Sequence, residues 1–193
     1  MGQYYFPTIL RRKGNRNFSK QFYSHQYDNG LKLMEHSYIG NHFVNTVLAQ
    51  LYNNPGRLAW IGDYHENGDM QDKELEKAFY KAYNNFNKEN GMSHYTKAKE
   101  VENAKGRFIL NHDKKVFIDM KAYEEKAHKD EFGCAIHPLP LLTAVGNGRG
   151  GGDYWGINEE DVGIWAGDLI ETQDAKPNGY TDVTNEIEFE EGR

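Results

Sequence analysis

Hydrophobic and polar positions change their spacing several times along the chain, and each change predicts an element. Residues 3–12 mix aromatic and β-branched side chains and read as a first strand, with Pro7 near an edge or bulge. Residues 18–27 read as a returning strand, closed by the turn signal Asp28-Asn29-Gly30. Over residues 41–54 the period becomes helical: Phe43, Val44, Val47, Leu48, Leu51 and Tyr52 form one stripe, Asn41 can cap its start, and Asn53-Asn54-Pro55-Gly56 ends it. Arg57-Leu58-Ala59-Trp60-Ile61-Gly62 then predicts a strand that stops at Asp63-Tyr64-His65. A second helix fits residues 72–89, with Leu75, Phe79, Ala82, Tyr83 and Phe86 on one face and Asn90-Gly91 as its stop.

The rest of the chain is more broken. Residues 92–105 are polar and read as a surface loop, residues 107–119 as a β-hairpin turning at Asn111-His112-Asp113-Lys114, and residues 123–128 as a short helical turn. Beyond Gly133, residues 134–138, 139–145, 162–172 and 180–189 are strand candidates, the last bulged or short. These elements predict a single α+β domain: a mostly antiparallel sheet with the two main helices packed on one face.

Composition narrows the functional classes. At 193 residues the chain fits one core. A net charge of −6 argues against an extended surface tracking nucleic-acid phosphates, although the run Arg11-Arg12-Lys13-Gly14-Asn15-Arg16 reads as a solvated hairpin loop or a local anion contact. Cys134 is the only cysteine, so no intrachain disulfide forms, and its thiol is expected half-buried and inert. No apolar run reaches the roughly 18 residues of a spanning helix and the opening residues lack a signal-peptide pattern, so the expectation is a cytoplasmic protein with no membrane contact.

The stretch richest in candidate chemistry runs from Leu141 to Trp155, where an apolar segment empties into a loop with five glycines. Gly146-x-Gly148-x-x-Gly151 has dinucleotide-binding spacing, but Gly152-Asp153-Tyr154-Trp155-Gly156 is a poor helix opening, and no Lys-Ser or Lys-Thr follows to make a P-loop. Two readings remain. In one, the glycines merely supply positive φ to a wide hairpin loop. In the other, loop amides at Gly146, Gly148, Gly150 and Gly151 form an anion nest and Arg149 adds a planar cation. Asp153 or Asp63 would then accept ribose hydroxyl bonds, and Trp60 or Trp155 would stack on a base. The loop's flexibility would also suit a lid.

Trp60-Ile61-Gly62-Asp63 and Trp165-Ala166-Gly167-Asp168 echo one another, and Gly152-Asp153-Tyr154 repeats Gly62-Asp63-Tyr64, so three aspartates are expected to end strands in similar turns. Asp63, His65 and Asp168 are also residue types for a metal-assisted hydrolase, but no diagnostic ligand spacing is present and no metal site, cofactor or catalytic residue is assigned. His137, between Ile136 and Pro138, reads as a hydrogen-bonded, half-buried histidine. Ser37 lacks a nucleophile elbow and reads as a turn residue.

The opening Gly2-Gln3-Tyr4-Tyr5, the stretch Asn29-Gly30-Leu31-Lys32-Leu33-Met34-Glu35, the hairpin Leu110-Asn111-His112-Asp113-Lys114-Lys115, the loop from Gly146 to Tyr154 and Trp165-Ala166-Gly167-Asp168 together resemble a scattered group of uncharacterised proteins from bacteria, phages and some microbial eukaryotes. Members of that group often carry Trp at the position of Tyr5. The resemblance implies no activity, but it does imply a phage or mobile-element accessory role, such as anti-defence. The leading expectation is therefore a small-ligand-binding protein that holds a phosphorylated or nucleotide-like molecule at the glycine-rich loop. The alternatives are a protein-binding inhibitor of a host enzyme and a metal-assisted hydrolase.

Overall fold

The computed structural model describes residues 1–13, 16–89, 96 and 98–192. Strands β1 (Tyr5–Lys13), β2 (Arg16–Gln21), β3 (Gly56–Gly62), β4 (Phe108–Asn111), β5 (Val116–Asp119), β6 (Ala144–Val145), β8 (Leu169–Gln173) and β9 (Thr181–Asp182) form one sheet. Its order is β2-β1-β3-β8-β4-β5-β9, with β6 also joined to β3. All pairings are antiparallel except β3 with β6 and β5 with β9. A second, two-stranded ribbon pairs β7 (Gly156–Ile157) with β10 (Glu190–Glu191). The fold is a single α+β domain.

Two helices cover the sheet, on opposite faces. Helix α2 (His42–Leu51) follows the short α1 (Leu33–His36), and Asn41 caps it by accepting from the amides of Phe43 and Val44. Its Phe43, Val44, Val47, Leu48 and Leu51 pack with Ile9, Leu58, Trp60, Ile109, Ile118 and Ile170. Helix α3 (Lys73–Glu89) begins at Asp72, whose carboxylate accepts from the amides of Glu74 and Leu75. Its Phe79, Tyr80 and Tyr83 pack with Phe6, Ala59, Ile61 and Val145. Successive strand side chains point to opposite faces. Leu58 and Trp60 therefore meet α2 while Ala59 and Ile61 meet α3, and the expected placement of both helices on one face is corrected to one on each.

Several boundaries also move. Residues 138–142, expected in a strand, form helix α5 (Pro138–Leu142), buried throughout and capped by His137. Residues 24–27 are a 3-10 turn, residues 134–138 form no strand beyond isolated bridges, and the strands expected over 162–172 and 180–189 shrink to β8 and β9. The hairpin β4–β5 is found where the sequence places it, and the helical turn expected over residues 123–128 appears earlier, as α4 (Met120–Lys126), directly after β5 with Asp119 as its cap. Pro7 lies at the end of the β1–β2 ladder, its carbonyl accepting from Phe22 N. The turn at Gly14-Asn15 and most of the loop at residues 92–97 lie outside the described residues. Among the described residues no helix is long and apolar enough to cross a membrane.

Candidate functional site

The glycine-rich loop is positioned by strand direction. β6 runs parallel to β3, with Trp60 opposite Ala144 and Ile61 opposite Val145, so both strands deliver their following loops to the same end of the sheet. β1 is antiparallel to β3, with Tyr5 opposite Gly62, which brings the first residues of the chain to that end as well. Three segments thus meet: residues 1–5, residues 63–70 and residues 146–153.

At their junction, Asp153 accepts three hydrogen bonds. One carboxylate oxygen takes the Tyr5 hydroxyl at 2.9 Å, and the other takes the amides of Arg149 at 2.7 Å and Gly150 at 2.9 Å. Two consecutive amides, those of Arg149 and Gly150, converge on one anionic oxygen, which belongs to the chain's own Asp153; of the four glycine amides expected in a nest only that of Gly150 takes part, and the Gly151 amide donates instead to Met1 O. The Gln3 side-chain amide donates to the Tyr5 hydroxyl and to the Gly146 carbonyl, both at 2.8 Å. Burial, then the charge and hydrogen bond of Asp153, with Asp63 beyond, push the Tyr5 phenol far above its usual range, so it remains a donor. Gly151 pairs with Gly2, its amide donating to Met1 O and its carbonyl accepting from Gln3 N.

Arg149 turns away from the nest. Its guanidinium grips Asp69 through two bonds of 2.5 and 2.6 Å, donates to the Tyr64 carbonyl at 3.1 Å and lies 3.8 Å from Glu66. Burial favours the neutral Asp69, but the Arg149 and Glu66 N–H donors and the Arg149 charge outweigh it and hold the carboxyl below its usual range. Asp63 accepts from Tyr4 N at 2.9 Å. Asp69 and Glu66 therefore flank the guanidinium, while the carboxylates of Asp63 and Asp153 are held in the adjoining segments by the amides of Tyr4, Arg149 and Gly150 and by the Tyr5 hydroxyl. A phosphate entering here would meet a net negative field and would have to displace Asp153 from two amides and Asp69 from Arg149.

Of the expected site residues, Gly146, Gly148, Arg149, Gly150, Gly151, Asp153 and Asp63 come together. The two tryptophans do not join them. Trp60 is fully buried, its indole N–H donating to His36 Nε2 at 3.0 Å, so it is a core residue. Trp155 is 65% exposed and lies beside Gly192, away from the nest. Asp168 sits at the other end of β3, where its carbonyl accepts from Leu58 N and its carboxylate takes Asn111 at 2.7 Å and Lys114 at 2.8 Å. Leu58 to Asp63 is about 16 Å of extended chain, so Asp168 cannot act with Asp63 and His65. The His65 ring packs 4.0 Å from Tyr80 and its Nδ1 meets Gly62 O, and among the described residues no three His, Cys, Asp or Glu side chains converge as metal ligands. Arg11, from the basic run, caps α2 by donating to the carbonyls of Gln50, Asn54 and Pro55.

Two groupings had no sequence signal. His112 bridges Glu171 at 2.8 Å and the Tyr180 hydroxyl at 2.7 Å, three residues drawn together only by the pairing of β4 with β8 and the return of the chain to β9. The other is an acidic basin of about 530 Å³ between residues 128–136 and β10, with Asp130, Glu131, Glu190 and Glu191 facing Lys129 and His128 in its walls. Cys134 lines it and is exposed, not half-buried. Burial first, then the charges of Glu191 and Asp130, push the Tyr38 phenol in its wall up to about 12. Next to the lining stand large apolar side chains in solvent: Phe132, between Glu131 and Cys134 in the chain, is 81% exposed, Trp155, against Gly192, is 65% exposed, and Ile157, paired with Glu190, is 46% exposed. Compared with known proteins, the chain matches no family model, no curated sequence and no solved structure.

Proposed function

We propose that the protein is a binding module whose partner is a protein with a basic segment, received by the acidic basin beside β10. The observation that carries this reading is the pairing of Phe132, Trp155 and Ile157, large apolar side chains left in solvent, with a basin holding four carboxylates. Exposed aromatics beside a concave surface are the usual anchors of protein interfaces, and Trp is the most enriched of them. The surrounding negative charge supplies steering and selects a partner rich in Lys or Arg. No covalent chemistry is needed, so the reading assigns no catalytic residue.

The test uses a labelled arginine-rich peptide with interspersed aromatics, a glutamate-rich counterpart as control, and fluorescence anisotropy at several salt concentrations. The basic peptide is expected to bind, with Trp155→Ala weakening it about tenfold or more and Glu190→Lys with Glu191→Lys abolishing it. Binding that Trp155→Ala leaves unchanged would be charge attraction alone and would remove the proposal.

A second reading keeps a phosphorylated small ligand at residues 146–153, because the amides of Arg149 and Gly150 already converge on one anionic oxygen. It requires exchange, the ligand replacing Asp153 and Asp69. Titration calorimetry with a nucleotide panel should then show binding that strengthens in Asp69→Asn, and a silent titration for both proteins excludes it.

A further inference from the structure

Under α2 lies a second cavity, of about 250 Å³, that neither the loop nor the acidic basin explains. Ile39, Leu48, Ile109 and Met120 give it apolar walls, and the segment around Ala104 closes one side. Two polar side chains also line it. Asn45, in the middle of α2 and 1% exposed, donates its amide to the Glu102 carbonyl at 2.7 Å, while its Oδ1 has no partner among the described residues. Such a buried, unpaired acceptor is rare because it has surrendered its water. His137 accepts the amide of Leu139 on Nδ1 at 3.2 Å, so the neutral ring carries its proton on Nε2, and no partner for that N–H is found among the described residues. Burial keeps the ring neutral, pushing it down to about 3.

Charge at the mouth is balanced. Arg107 is held by both oxygens of Asp119, at 2.9 and 2.6 Å, and Lys121 is offset by Glu124. An ion entering the cavity would find no net opposite charge to offset its lost hydration. A neutral molecule with a hydrogen-bond acceptor and donor on an apolar body would lose little and would satisfy both open groups.

The geometry points to a ligand site here for a small neutral carboxamide or lactam, its carbonyl taking the His137 Nε2–H and its N–H meeting Asn45 Oδ1. The volume admits on the order of ten non-hydrogen atoms, given about 30 Å³ for a water in the liquid. That is smaller than the usual drug-sized pocket and suits a single substituted ring.

The probes are benzamide, benzoate and toluene, nearly equal in size and different in polarity, titrated into the whole chain by calorimetry and by NMR of side-chain signals. Benzamide is expected to shift the His137 ring and the Asn45 side-chain amide, and to bind at least about tenfold more tightly than the other two. Ala104→Trp, at an exposed lip, is expected to weaken benzamide by about tenfold while leaving the melting temperature unchanged, with Lys121→Trp as a second blocking variant. No benzamide binding, toluene binding as tight as benzamide, or affinity unmoved by both blocking variants would each overturn the assignment.

Discussion

Asp153 draws its three donors from residues that are distant in the chain or in the loop's path, so its carboxylate fixes the N-terminal strand and the glycine-rich loop to each other. Asp153→Asn keeps the size but puts an amide N–H₂ where an acceptor is needed. We expect it to cost about 2–3 kcal/mol, as for hydrogen bonds to a charged group. Urea denaturation of Asp153→Asn, Tyr5→Phe and the double variant checks the coupling: Tyr5→Phe should cost less once Asp153 is gone, and equal costs in both backgrounds would show that the pair does not act together. Two histidines set the pH response. His36 is pushed down to about 4 by burial, against the opposing hydrogen bond to Gly30 O, and His137 to about 3. Unfolding exposes imidazoles that take up protons near pH 6.5, so their contribution is complete above that value and is lost as pH falls towards 4. Thermal melts should show the midpoint falling between about pH 7.5 and about pH 5, above the range where carboxylates titrate. A flat midpoint across that interval would contradict neutral buried rings.

At the scale of the element, the loop at residues 146–153 uses its glycines unequally. Gly148 has φ +88° and open space where a Cβ would stand, so it serves the left-handed turn alone. Gly150 lies against the chain's opening: a Cβ there would stand 2.5 Å from Gln3 Cβ and 2.8 Å from Gln3 N, too close for the backbone to stay. Gly148→Ala is therefore expected to cost about 1 kcal/mol, and Gly150→Ala about 2–3 kcal/mol as a forced insertion. Denaturant midpoints of the two variants rank them, and the reverse order would mean that the loop is not clasped to the residues leading into β1. The element next to it is fixed in a similar way. Glu76 of α3, 5% exposed, accepts the amides of Gly68 and Met70, which steadies the segment that offers Asp69 to Arg149.

At the scale of the molecule, the sheet separates two cores. Val47 lies in the α2 core and Ile61 in the α3 core, both fully buried. Val47→Ala is expected to cost about 2 kcal/mol and Ile61→Val about 1 kcal/mol, and the double variant should equal their sum within about 0.5 kcal/mol because the sites share no packing partner. Strong coupling in urea melts would mean that the two faces communicate through β3. The charge map has the same large-scale character. Among the described residues, carboxylates gather at the basin, so salt should weaken binding of a basic partner there.

The sequence by itself determined what is local. Asn41 followed by the Phe43–Leu51 stripe specified α2, the 72–89 periodicity specified α3, and Asn111-His112-Asp113-Lys114 specified the β4–β5 hairpin, because caps, turns and a 3.6-residue period act within a few residues. The expectation of both helices on one face missed a signal that was present, since the run Leu58-Ala59-Trp60-Ile61 does not alternate as a strand open on one side would. Pro138-Leu139-Pro140-Leu141-Leu142 read as strand and is a helix, because a short helix buried on every side has no polar face to reveal its period. Only tertiary structure decided that the nest amides belong to Asp153, that Arg149 belongs to Asp69, and that Trp60 and Trp155 part company. Those outcomes depend on strand order and direction, which bring residues 1–5, 63–70 and 146–153 to one end of the sheet, and no spacing along the chain encodes which donor finds which acceptor across it.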